Sequence, residues 1–166
     1  MVICRNKVYS GIQSIQGRPG SDRGAIALGV ERLGSDDNSE LLNSFVNRGF
    51  DAKAEGKLDL AVKYFSSAID LNPSQDIRIM LAFDVFGLLM ELGRYKEAEQ
   101  FLAGFGRECY SGIPSYIRKE IQMNLKYIEA MGEMLAKANT PNLPHSMVPA
   151  LIRITVEEKV NEWIGE

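Results

Sequence analysis

The middle of the chain repeats itself. Gly56 and Gly93 lie 37 residues apart, and the same types of residue follow each glycine at the same distances. Leu58, Ala61 and Phe65 come after the first glycine; Tyr95, Ala98 and Leu102 come after the second. Internal repetition at this scale constrains a fold more than any composition does. A short unit cannot bury its apolar face alone, so successive units must stack on one another, giving a row of elements and not one closed core.

The period within each unit is helical. A helix starts sharply after Asp37, which with Glu40 three residues on resembles a capping box satisfying the first backbone N–H groups. The helical pattern then runs to Leu71, broken only at Glu55-Gly56-Lys57, and Asn72-Pro73-Ser74 stops it because proline disfavours helical geometry in the residue before it. Ser74 is placed to cap the next helix, which reaches Leu92; Gly93-Arg94 breaks it, and a further helix covers 95–105. The expected antiparallel pairs are therefore 38–55 with 58–71 and 75–92 with 95–105. Gly104, Gly106 and Ser111-Gly112-Ile113-Pro114 form the following loop.

A fifth helix is expected over Ser115 to Lys137. One apolar stripe contains Ile117, Ile121, Leu125, Ile128, Gly132 and Leu135, and a second contains Tyr116, Met123, Tyr127, Ala130 and Met134. An apolar face wider than one stripe packs against two neighbours. Pro141, Pro144 and Pro149 mark a linker. Thr155 and Glu158 form another capping box, after which Val156, Val160, Trp163 and Ile164 follow at helical spacing, although Leu151–Val156 also alternates as a strand does. Residues 150–164 are expected to dock on the 115–137 helix with Trp163 largely buried. Residues 1–37, with RPGSDRG and LGSDD, read as an irregular N-terminal extension. Residues 38–139 read as the helical repeat domain, and 140–166 as a proline-containing linker and capping helix.

Specific residues resemble a known family. Residues 42–73 are similar to a tetratricopeptide repeat: Phe45 at the bulky first-helix position, Gly49 where the helices approach closely, Gly56 at the turn, then Ala61, Phe65, Ala68 and Pro73. AVKYFSSAIDLNP, 61–73, resembles the family's second helix with its closing proline. The second unit, 79–105, keeps Ala82, Gly93, Tyr95, Ala98 and Leu102, but has Phe86 and Phe105 where small residues are usual and no closing proline. The resemblance implies an all-α fold, with antiparallel helix pairs stacked as a short right-handed solenoid and a C-terminal capping helix. It also implies a protein–protein interaction scaffold or adaptor and not an enzyme.

In this family the first helix of each unit lines a groove. The lining positions fall here on Asn43, Val46, Phe50 and Lys53, and on Met80, Phe83, Gly87 and Met90. The subfamily that clamps chaperone C-termini has lysine and asparagine where this chain has Val46 and Phe50, so that subfamily is rejected. An apolar groove with methionines suits an amphipathic helix or peptide held at i, i+3, i+4 and i+7 anchors. A second reading stands beside this one: the protein is a structural or self-associating unit whose groove is filled by its own residues beyond 140, or by a second copy in a homodimer.

Other functions find little in the residues. Apolar residues make up 45% and charged residues 25%, as in ordinary globular chains, and the net charge of −3 argues against nucleic acid as a partner. Cys4 and Cys109 form no ligand cluster and read as two free thiols of a reducing compartment. No apolar run is long enough for a membrane span or a secretory signal, so a cytoplasmic protein is expected. The single histidine, His145, has no nucleophile with a second base to complete it. GRPGSDRG, 17–24, lacks the GK[ST] of a phosphate-binding loop, and no metal or cofactor is expected.

Overall fold

The computed structural model describes residues 33–109 and 112–165, and in this region every regular element is helical. Six α-helices follow one another: α1 (Leu33–Ala54), α2 (Leu58–Asp70), α3 (Gln75–Glu91), α4 (Tyr95–Glu108), α5 (Ser115–Lys137) and α6 (Ala150–Gly165). One 3-10 turn, His145–Met147, precedes α6. No strand occurs among the described residues. Each helix packs on the next along the chain, from α1 on α2 to α5 on α6.

The breaks are chemical in origin. Gly56 and Gly93 adopt φ of +73° and +70°, the left-handed region that other residues enter only at a cost. At both, the N–H after the glycine turns back to a carbonyl five residues earlier: Lys57 to Ala52 at 2.8 Å and Arg94 to Leu89 at 2.9 Å. This is the Schellman closure, which satisfies carbonyls that a helix end would otherwise leave bare. Asn139 closes α5 in the same way, with φ of 56° and Thr140 N–H bonded to the Leu135 carbonyl at 2.9 Å. Asn72 ends α2 at φ 52°, and Pro73 after it has no N–H to complete the motif.

The core runs through all of the described helices after the first turns of α1. Ala61, Phe65 and Ala68 of α2 are fully buried, as are Ala98 and Leu102 of α4, so the positions 37 residues apart share one environment. Because Ala61 has no spare room, Ala61→Leu is expected to overpack the site and lower stability by about 1–3 kcal/mol. An unchanged thermal midpoint would refute that packing. Cys109 is a partly buried free thiol, whereas Cys4 lies outside the described residues with the rest of 1–32.

Several sequence expectations on helix ends are corrected. The first helix begins at Leu33, so 33–37 is helical and Asp37 lies inside α1 and not at its cap. Glycine, serine and aspartate discourage helix locally, but extending a helix that already exists costs little per residue. Glu108, not 105, ends α4. In α6 the strand-like alternation and the Thr155 capping box both fail: the helix starts at Ala150, and the Thr155 hydroxyl instead donates back to the Leu151 carbonyl at 3.0 Å. Ser74 does precede α3, but its side chain makes no capping bond.

A further correction concerns the end of the chain. Helix α6 docks on α5 as expected, and Val156 and Val160 are buried there. Trp163 is not: 46% of it is exposed, with the Lys126 ammonium 5.6 Å from its ring centre. The ring lies at the margin of the contact, where a cation over an aromatic face contributes about 0.5–1 kcal/mol. The side chain of Ile164 lies outside those described. Native tryptophan emission should accordingly sit between the buried and the fully solvated wavelengths, and Trp163→Ala should destabilise less than Val156→Ala. Blue-shifted, quencher-resistant emission would contradict this placement.

Candidate protein-binding face

The eight positions expected to line a groove lie on α1 and α3. On α1, Asn43, Val46, Phe50 and Lys53 follow one another at helical spacing; Val46 is half-buried, and Asn43, Phe50 and Lys53 are exposed. Phe50 is 42% exposed, yet it is not free to swing: its ring meets the Phe65 ring edge-on at 5.1 Å between centroids. One residue earlier, Gly49 leaves the gap that Phe65 occupies, and a Cβ there would overlap the aromatic ring. A glycine in α1 thus lets α2 seat its largest core side chain close to the backbone, which positions Phe50 above it.

On α3, Met80, Phe83 and Gly87 are half-buried, whereas Met90 is 3% exposed and belongs to the core. Met90 is therefore withdrawn from the accessible face. A Cβ on Gly87 would meet nothing within 4 Å, so the packing of this chain does not require a glycine there. That position is a bare stretch of helix backbone open to a neighbour. The Lys53 ammonium bonds to Asp84 at 2.8 Å, bringing the end of α1 to the middle of α3 beside Phe83. A second pair, Arg94 to Asp59 at 2.9 Å, joins the starts of α2 and α4. Both pairs are partly exposed and are worth about 0–1 kcal/mol each; they report register more than stability.

The structure also brings in residues that the sequence reading did not assign. Residues 140–148 return across α3, α4 and α5. The Tyr95 hydroxyl donates to the Leu143 carbonyl at 2.8 Å, the Tyr127 hydroxyl and His145 Nε2 are 3.0 Å apart, and Ser146 N–H donates to Glu91 Oε2 at 3.2 Å. Burial, helped by the Glu91 charge, pushes the Tyr95 phenol up to about 12; burial also raises Tyr127. Both therefore stay neutral donors at ordinary pH. The signal was present but faint: tyrosine in an apolar stripe needs a polar partner when buried, and the one histidine lies in the next segment.

Elsewhere, a shallow hollow of about 320 Å³ between Gly56–Leu60 and Leu92 includes none of the eight positions. Among the described residues, no three His, Cys, Asp or Glu side chains gather as a metal site, and no helix is long and apolar enough to cross a membrane. Comparison with family models, with curated proteins and with solved structures gives no match.

Proposed function

We propose that this chain is a non-catalytic protein-binding scaffold whose α1/α3 face takes an amphipathic helix or peptide. The carrying observation is the surface itself: Phe50 stands 42% exposed, Val46, Met80 and Phe83 are only half-covered, and Gly87, one turn on from Phe83, leaves room for an added Cβ. Glycine in a helix costs about 1 kcal/mol relative to alanine, and among the described residues no contact within 4 Å of an added Cβ accounts for it. The further reading, a short right-handed solenoid of the tetratricopeptide type, draws support from the Gly49–Phe65 approach, the matched turns at Gly56 and Gly93, and the matched burial of Ala61 with Ala98 and Phe65 with Leu102. The Lys53–Asp84 and Arg94–Asp59 pairs, which link α1 to α3 and α2 to α4, agree with stacked units.

Selection from a displayed library of amphipathic peptides tests this reading. Enriched peptides should carry apolar residues at i, i+3, i+4 and i+7 and shift the amide resonances of Val46, Phe50, Phe83 and Gly87. Gly87→Leu should block them while leaving the fold intact, since a Cβ there meets nothing within 4 Å. Selected peptides that bind elsewhere, or that ignore Gly87→Leu, would refute the assignment. A second reading, a self-filled structural unit, is favoured by one observation: Met90 is buried at the end of α3 where 140–148 crosses. It predicts no peptide binding to the wild-type chain.

A further inference from the structure

Residues 140–148 are held by polar bonds to three different helices and by a few apolar side chains. Val148 is buried and Leu143 partly so, but the remaining ties are the Tyr95, Tyr127 and Glu91 contacts. The backbone at Asn142 lies against Gly93, where a Cβ would overlap the Asn142 carbonyl. The segment is thus seated on a surface shaped to receive it, and its centre is His145, whose side chain is 12% exposed.

We propose that residues 140–148 form a pH-sensitive strap, seated on α3, α4 and α5 while His145 is neutral and released when the imidazole takes up a proton. The reason lies in the hydrogen-bond inventory. A neutral imidazole protonated at Nδ1 accepts the Tyr127 hydroxyl hydrogen at Nε2 and turns its own N–H towards Glu91 Oε1, 3.8 Å away. A second proton must go on Nε2. It converts that acceptor into a donor, so the contact must reverse: the Tyr127 oxygen accepts, and its hydroxyl hydrogen must turn away and lose its present acceptor. The new charge also sits in a place largely removed from water.

Every element packed around His145 contributes a group to the balance. Glu91 of α3 and Glu157 of α6 favour the charged imidazole, and Arg153 of α6 opposes it. Tyr127 of α5 and Tyr95 of α4 remain neutral. Burial outweighs the two carboxylates and holds His145 below its ordinary value of 6.5. The sign follows from proton linkage. The released segment binds its proton near the ordinary value, while the seated segment binds it only at lower pH. Between the two the released form holds more protons, so falling pH favours release, and above that window the strap is insensitive to pH. The chain has one histidine, so no second imidazole titrates there.

Release would uncover the end of α3 around Met90, next to the proposed binding face. That consequence rests on the proposed function; the strap itself does not. Nuclear magnetic resonance of the full chain reads both the imidazole titration and the exchange of backbone amides. We expect His145 to titrate below 6.5. Protection of the Ser146, Met147 and Val148 amides, corrected for the pH dependence of intrinsic exchange, should fall about tenfold between about pH 7.5 and about pH 5.5, the worth of one hydrogen bond. The Phe65 amide should not change.

Tyr127→Phe keeps the ring and removes the hydroxyl, so it should lower protection at the higher pH and flatten the dependence; His145→Gln should flatten it also. A wild-type histidine titrating at or above 6.5, or protection independent of pH, overturns the proposal even if either variant fails to fold. Peptide binding does not enter this measurement, so the strap and the binding face can fail separately.

Discussion

Phe65→Ala is expected to cost about 3–5 kcal/mol, the range for truncating a buried aromatic side chain. The ring is fully buried, lies edge-on to Phe50 at 5.1 Å and fills the space that Gly49 leaves. Removing it leaves a cavity that two helix backbones cannot both collapse into. Gly49→Ala attacks the same contact from the other side and should cost about 1–3 kcal/mol by overpacking, because a fully buried ring has nowhere to retreat. The double variant should lose less than the two single losses together, since the new methyl enters space that the ring has left. Denaturant unfolding of the four proteins measures the coupling, expected at about 0.5–3 kcal/mol for groups in contact. Losses that simply add would show that the ring does not sit against Gly49.

The second large effect separates two glycines that look alike in sequence. Gly56 and Gly93 share a positive φ, so replacing either with alanine incurs left-handed strain of about 1–2 kcal/mol. At Gly56 nothing else lies within 4 Å of the added carbon. At Gly93 that carbon overlaps the Asn142 backbone, which is anchored one residue on by the Tyr95–Leu143 hydrogen bond. Overpacking there adds about 1–3 kcal/mol, for a total of roughly 2–5 kcal/mol. Gly93→Ala should also raise amide exchange across 143–148, and Gly56→Ala should not. Equal losses for the two variants would mean that residues 140–148 do not seat on this turn.

Of the eight positions assigned from the sequence, seven are at least partly accessible and one, Met90, is not. The resemblance to a tetratricopeptide repeat pointed to Asn43, Val46, Phe50 and Lys53 on α1 and to Met80, Phe83, Gly87 and Met90 on α3, and each set recurs at helical spacing. Spacing alone cannot say how deep a side chain sits. Phe50 and Met90 are both large and apolar, yet one is 42% exposed and the other 3%, because depth is set by neighbours brought in from elsewhere in the chain. Pro141, Pro144 and Pro149 announced a linker but not its direction, and Tyr95, Tyr127 and Glu91 give that direction only once they stand together in space.

The last helix shows the same limit. Val156, Val160 and Trp163 share a helical face in sequence, while Leu151 and Ile154 remain 76% and 51% exposed on another side. Helix α6 is apolar nearly all round at its start, so periodicity there names no single buried face, and only the angle at which it meets α5 selects the two valines over the tryptophan. The sequence by itself determined where α1, α2 and α3 stop: left-handed turns require Gly56, Gly93 or an asparagine, proline bars helix before it, and these are demands on single residues or near neighbours. It also determined that small Ala61 and Ala98 recur where helices meet. The tertiary structure alone decided what covers what, because burial is a property of two surfaces brought together from distant parts of the chain, and local chemistry encodes only one of them.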